Sequence, residues 1–192
     1  MIAEQYLKSL KLESKKFKKN KEIFDIVLYG STTRSKRNAN DIDVVIIFQN
    51  LPLKDRLEIS QKFKKSLQIK NIDIKSININ ELFDKTFLAR QGIITEGKSL
   101  IDDKPFSKKI GFSGFGLFNY SLEKLSNTEK TKFSYALNGR RQQEGILKKL
   151  KAKRLGKGVI IIPINKSDLF AEFLETWKIE FKQKHILIPN YE

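Results

Sequence analysis

The chain contains no cysteine, one histidine, one tryptophan, one methionine and four prolines in 192 residues. Without thiols it can form neither a disulfide nor a thiolate metal site, and it has no cysteine nucleophile. The single histidine, His185, lies in a segment that reads as a strand, and no zinc site or Ser-His-Asp set can be assembled around it. Long apolar runs are missing too, since none approaches the ~20 residues of a membrane span. The first residues, Met1 to Tyr6, lack the basic start and apolar centre of a signal peptide. No repeat stands out at the usual periods. These absences lead us to expect a cytoplasmic protein with no membrane partner.

Positive charge, by contrast, is in excess. There are 38 Lys and Arg against 22 Asp and Glu, a net charge of +16. Through Lys104 there are 21 basic and 14 acidic residues, and from Pro105 onward 17 and 8, so the second half is the more basic. A field of this sign favours polyanions and speeds their encounter. Lysine-rich composition also arises from genomic bias or high growth temperature. With 40% hydrophobic and 31% charged residues, the chain can bury a core and form one medium domain or two small ones.

The chemistry concentrates between Ile23 and Asp73. Residues Ile23 to Tyr29 are β-branched, aromatic and apolar, and predict a buried strand closed by Gly30. Gly30 permits a tight turn and a close backbone approach to a ligand. Ser31 is placed to cap a short helix through Thr32, Thr33 and Arg34, whose free N–H groups suit a phosphate. Gly-Ser alone more often marks an ordinary strand-to-helix turn. Residues Asp41 to Phe48 begin polar and become the continuous apolar run of a central strand. Strand side chains alternate, so Asp41 and Asp43 share a face. Two ionised carboxylates this close repel, and a hard divalent cation such as Mg²⁺ relieves the repulsion. The other reading is a solvated acidic strand start capped by Asn40. Residues Asn71 to Ile77 alternate, putting Asp73, Lys75 and Ile77 on one face. Beside the preceding strand, Asp73 becomes a third carboxylate, and three acids can bridge two metals. One metal would activate an attacking hydroxyl and the other would hold a triphosphate. By itself, Asp73 is an acid at a strand edge.

At Tyr29, Gly30, Ser31, Asp41, Asp43 and Asp73 the chain resembles the DNA polymerase β-like nucleotidyltransferase superfamily, particularly its minimal members. The family pattern is an apolar residue, Gly, Gly or Ser, a spacer of roughly ten residues, then Asp-x-Asp and a later acid on a strand. Small members often read Gly-Ser-x-x-Arg-Gly, and here Ser35 stands where the second glycine would be. Arg90 to Gly97 looks like the helix and turn that close such domains. The resemblance spans roughly residues 20 to 104. It implies an NTP donor, two Mg²⁺ ions (with Mn²⁺ as substitute) and pyrophosphate as leaving group. Asp41 and Asp43 would hold both metals, and Asp73 the one beside the acceptor hydroxyl. Gly30, Ser31 and Arg34 would hold the phosphates. Lys36 and Arg37 fall in the spacer, where a phosphate contact and a solvated loop are equally open.

Elsewhere, residues 2–19 and 52–68 predict amphipathic helices. Asp102, Asp103, Lys104 and Pro105 punctuate the chain, dividing it into domains 1–104 and 105–192. In the second domain, Gly111 to Gly116 reads as a flexible entry to a strand over residues 117–122. A helix capped by Ser126 or Asn127 runs to about Leu137, and a second runs over residues 142–150. A buried strand at residues 159–164, a helix over 167–177 and a strand over 180–188 complete an α+β unit. Residues 140–157 hold Arg140, Arg141, Lys148, Lys149, Lys151, Lys153, Arg154 and Lys157 against Glu144 alone. Such a stretch can track phosphates without reading bases, or remain a solvated helix and loop. Phe118, Tyr120, Phe133, Tyr135 and Trp177 read as core in preference to base-stacking residues.

Together these features predict an α+β protein. A small mixed-sheet nucleotidyltransferase domain would carry the chemistry, and a basic α+β domain would recognise the acceptor. That acceptor is expected to be RNA, tRNA-like or its 3′ end. The alternatives are AMP or NMP transfer to a partner protein, as in toxin–antitoxin systems, and a non-catalytic nucleic-acid-binding module on a degenerate fold.

Overall fold

Alternation in three apolar segments produces a sheet whose two faces have different neighbours. In the computed structural model the described residues are 2–33, 41–67, 69 and 71–190, the side chains of residues 2–5 and 32 excepted. The chain divides into two compact units, Met1–Gly111 and Phe112–Glu192. The dividing point falls after Gly111, beyond the punctuation at Pro105, because Phe106 is fully buried in the core of the first unit.

The first unit begins with helix α1 (Ile2–Phe17), followed by strand β1 (Ile23–Tyr29), a 3₁₀ turn (Gly30–Thr33) and strand β2 (Ile42–Phe48). Helix α2 (Leu53–Ser66) then leads to β3 (Ile72–Asn78), α3 (Ile79–Leu82), α4 (Arg90–Glu96), the short β4 (Lys98–Ser99) and α5 (Phe106–Lys109). The sheet order is β3-β2-β1-β4. β1 runs antiparallel to β2 and to β4, and β2 runs parallel to β3, with α2 as the crossover. The mixed sheet expected from the sequence is therefore present.

One face of this sheet carries Ile26, Leu28, Val44, Ile46, Phe48 and Ile72, packed with Leu10 of α1 and Phe63 of α2. The opposite face carries Val27, Tyr29, Val45, Ile47 and Ile77, packed with Leu82, Ile93 and Phe106 from the later helices. Each fully buried side chain of this size contributes roughly 1.5–3 kcal/mol. Asp25 is the polar exception in β1. It sits at the register shift between Ile23 and Asp25 and has no exposed surface. Its Oδ1 accepts from Ser99 Oγ (2.9 Å) and from the Ile26 N–H (2.7 Å), and Lys109 Nζ lies 3.2 Å from Oδ2. Lys109 also bridges to Asp102, so one cation ties α5 to β1 and to the β4 turn.

The second unit is built on a four-stranded antiparallel sheet, ordered β10-β5-β9-β8. Its elements are β5 (Phe112–Tyr120), α6 (Asn127–Asn138), the tiny hairpin β6 (Gly139–Arg140) and β7 (Gln143–Glu144), and α7 (Ile146–Leu150). They continue with β8 (Lys153–Gly156), β9 (Val159–Pro163), α8 (Ser167–Thr176) and β10 (Phe181–Pro189). Ser126 and Glu129 form a capping box at the start of α6. Phe118, Phe133 and Phe170 are fully buried, with Phe118 and Phe170 edge to face at 5.0 Å. Trp177 packs against the same cluster.

Three expectations for this unit are corrected. The glycines from Gly111 onward do not form a loose entry: β5 starts at Phe112 and runs through Gly114 and Gly116. A Cβ at Gly116 would stand 2.2 Å from Ser167 Oγ, so a bare backbone is what lets α8 close on the sheet. The helix expected over residues 142–150 shrinks to α7, because Gly139, at φ +93°, and Gly145 turn the chain back into a hairpin. Finally, Lys153 to Gly156 form the edge strand β8, in place of a basic loop.

Candidate active site

The end of β1 and the starts of β2 and β3 meet at one corner of the first sheet. Tyr29 is the register partner of Asp43, and Asp43 is the register partner of Asp73. The three side chains therefore form a row across three strands on one face. Register is dictated by the apolar pattern, because a one-residue slip of β2 would exchange Val44 and Ile46 for Val45 and Ile47 between the two cores. The same pattern thus fixes where the acids fall.

Gly30 completes the corner. Its φ is +78°, and a Cβ there would stand 2.3 Å from Asp43 Oδ2. Only glycine lets the backbone approach that carboxylate without a clash while holding a left-handed conformation. The turn is pinned by Thr33 Oγ1, which donates to the Gly30 carbonyl at 2.7 Å. Ser31 is exposed beside it, where its hydroxyl and the turn's backbone are open to a ligand.

The electrostatics of the corner are those of crowded carboxylates. Burial pushes the Asp43 carboxyl above its ordinary value, and the nearby Asp73 pushes in the same direction. Lys75, two residues along β3, opposes the shift, and Asp41 adds to it. The phenol of Tyr29 is pushed up to about 12 by burial and by Asp43 and Asp73. Its hydroxyl is buried without a hydrogen-bond partner among the described residues. Lys75 and Tyr29 matter here for reasons visible only once the strands are paired.

Of the residues expected at the site, Gly30, Ser31, Asp43 and Asp73 converge. Asp41 stands exposed, just before β2, close enough to act electrostatically on Asp43. Arg34, Lys36 and Arg37 lie outside the described residues. Among the described residues, no three acidic or histidine side chains are gathered to hold a metal ion. Two neighbouring hard-oxygen donors, one of them with its acid raised by a like charge, nevertheless fit Mg²⁺. That ion is usually bound through one or two carboxylates plus substrate phosphates.

The basic stretch of the second unit is distributed over several elements. Arg140 and Arg141 lie at the β6–β7 hairpin, Lys148 and Lys149 in α7, Lys151 at its end, Lys153 and Arg154 in β8, and Lys157 in the following turn. All eight are exposed. Arg140 stacks over the Tyr135 ring at 4.6 Å, and Lys148 pairs with Glu144 at 2.6 Å. No helix among the described residues is long and apolar enough to cross a membrane.

A sheet corner with a glycine turn pressed against Asp43, the register partner of Asp73, is the geometry expected from the nucleotidyltransferase resemblance. Comparison with known families agrees: residues 13–105 match the family described as polymerase beta, nucleotidyltransferase. Solved structures similar to this chain include a candidate nucleotidyltransferase from Sulfolobus solfataricus. It is 16% identical over 50% of this chain and 80% of that one, with a TM-score of 0.37. A tri-AMPylated HEPN toxin in complex with MNT antitoxin, from Shewanella oneidensis, is 25% identical over 47% of this chain and 71% of that one, with a TM-score of 0.32. A toxin–antitoxin structure with AMP-PNP is 24% identical over 53% of this chain and 82% of that one, with a TM-score of 0.35. No curated protein matches the chain in sequence.

Proposed function

We propose that this protein transfers a nucleoside monophosphate from an NTP to a hydroxyl of an RNA acceptor, tRNA-like in kind, releasing pyrophosphate. The observation that carries the reading is the row of Asp43 and Asp73, register partners on adjacent parallel strands, with the Gly30 backbone against Asp43. Asp43 and Asp73, joined by Asp41, would hold two divalent ions, Mg²⁺ or Mn²⁺, which supply charge neutralisation for the triphosphate and for the developing leaving group. Asp73, exposed at the outer end of the row, would hold the ion beside the acceptor hydroxyl and help its deprotonation. Ser31 and the turn at Gly30 would orient the β and γ phosphates, with Arg34 from the adjoining segment. Positioning and preorganised charge then provide most of the rate.

The acceptor assignment is supported by the charge of +16 and by the exposed cations spread over β6, α7 and β8. Contacts of this kind fix a phosphate backbone in place without reading its sequence.

The test is incubation with each α-³²P-labelled NTP and Mg²⁺ or Mn²⁺, offering total RNA and cell protein as acceptors. Asp43→Asn and Asp73→Asn run alongside. Label entering RNA, and falling about 100-fold or more in either variant, is the expected result. Label entering protein would replace the RNA acceptor with a protein one. No label with any donor, despite RNA binding, would leave a non-catalytic binding module.

A further inference from the structure

The second unit holds a cavity that the transfer chemistry does not use. Its volume is about 600 Å³, within the roughly 300–1,000 Å³ of sites that take small molecules and cofactors. Tyr120, Phe133 and Leu137, all buried members of the unit's core, supply its apolar lining. Lys130, Arg154 and Lys157 line it as well, against a single acid, Glu123. Among the described residues, the ion pairs of this unit, Lys124 with Glu180 and Lys148 with Glu144, involve none of the three cations.

Arg154 is fixed before any ligand arrives. Its Nη2 donates to Asn138 Oδ1 at 3.0 Å. Asn138 is held in turn, its Nδ2 donating to the Ser134 carbonyl at 2.9 Å and to Ser134 Oγ at 3.2 Å. One guanidinium edge is spent on this relay and the remaining N–H groups are available. The Arg154 backbone is set by its pairing with Ile160 of β9. Lys157 is set by the neighbouring Gly158, whose φ is +72° and whose carbonyl accepts from the Tyr120 N–H at 2.9 Å. A Cβ at Gly158 would stand 2.4 Å from the Tyr120 carbonyl oxygen, so that turn is closed to any other residue.

Preorganised cations beside aromatic and aliphatic walls match a ligand that is anionic at one end and flat and apolar at the other. A guanidinium takes phosphate oxygens, and an apolar lining takes the flat body of a heterocyclic base. We propose that this cavity binds a phosphorylated nucleotide, either a free mononucleotide or the terminal nucleotide of an RNA chain. Only the second source rests on the RNA-acceptor reading above.

The experiment uses the full chain, ¹⁵N-labelled, in EDTA and in the Asp43→Asn background, so that the nucleotidyltransferase corner is disarmed. AMP and a short single-stranded RNA are titrated separately, and amide shifts are followed at Ser121, Ser134, Asn138 and Gly158. Saturable shifts there are expected, with about tenfold weaker binding in Arg154→Met and in Lys157→Met. Arg154→Lys should recover part of the loss, and Lys182→Met on β10 should change nothing. Response to AMP alone assigns the site to a free mononucleotide, and response to RNA alone assigns it to a chain end. Shifts confined to residues 29–31, or equal affinity in wild type and Arg154→Met, overturn the proposal. Label transfer is read in a separate assay. Transfer without cavity binding would sink only this inference, and cavity binding without transfer would sink only the catalytic reading.

Discussion

Replacing Asp43 with asparagine should make the metal-free protein more stable while removing its response to divalent cations. Asp43 and Asp73 are register partners on adjacent strands, and adjacent strands stand about 4.8 Å apart. Two unit charges at about 5 Å repel by about 3 kcal/mol at an effective dielectric of 20, and by under about 1 kcal/mol in bulk water. Asp73 is exposed and Asp43 half-buried, which places the cost near the aqueous end, about 1 kcal/mol. At neutral pH, Asp43→Asn should therefore raise the melting temperature of the first unit by about 4 °C. The sign has a pH signature. The Asp43 carboxyl is raised above its ordinary 3.8, so the folded state holds that proton more tightly than the unfolded state does. The stability this confers is complete below 3.8 and is lost as pH rises through the folded value. The advantage of Asp43→Asn should accordingly disappear in acid. Mn²⁺ at 100 times its dissociation constant should add about 2.7 kcal/mol to the wild type and almost nothing to the variant. Scanning fluorimetry across pH, with and without Mn²⁺, reads all of this. A variant that melts at or below wild type at neutral pH, or equal stabilisation of both proteins by Mn²⁺, would refute the account of the carboxylate row.

Gly30→Ala should abolish transfer while the sheet survives, because the new Cβ would stand 2.3 Å from Asp43 Oδ2 at a φ of +78°. We expect a loss of about 1–3 kcal/mol in stability, with label incorporation reduced to background. Gly116→Ala should destabilise the second unit by a similar roughly 1–3 kcal/mol through Ser167, with chemical denaturation as the measure and an unchanged midpoint as the contrary result. Lys109→Met leaves the fully buried Asp25 without its cation. The cost should be about 2 kcal/mol, below the roughly 3–5 kcal/mol of wholly buried pairs, because Lys109 is 25% exposed. Burial raises the Asp25 carboxyl, so this deficit should shrink as pH falls and Asp25 takes up a proton, and a deficit independent of pH would count against the ion-pair explanation.

Much of the first unit was legible because its strands are short, apolar and punctuated. Tyr29-Gly30 and Asp43 announce a turn and an acid at strand ends, and local alternation suffices to put Asp73 on a defined face. Local pattern does not reveal pairing. The Asp43–Asp73 register depends on a parallel crossover through α2, and the Tyr29 phenol and the Lys75 charge acquire meaning only across strands. The Asp25–Lys109 pair spans 84 positions and gives no periodic signal at all. In the second unit the reading failed where glycines serve packing. In one dimension Gly116 looks like part of a flexible entry and Gly145 like a helix interior, yet both are points of tight backbone approach. The lysines of residues 148–157 suggested a solvated helix and loop, whereas Leu150 is buried and β8 pairs with β9.

The parallel pairing of β2 with β3 also acts as a ruler. Because Asp43 and Asp73 are aligned by a backbone ladder that continues through Phe48 and Asn78, their spacing is independent of the length of the intervening helix. Insertions or deletions between Asn50 and Asn71 would alter α2 and its turns while leaving the carboxylates side by side. A single residue inserted between Ile72 and Ile77 would send Asp73 to the opposite face, among Ile72, Val44 and Phe63. Sequence length is therefore free to drift in the connection and rigidly constrained in the strand. An engineer wishing to splice a new element into this domain has that crossover as the place to do it.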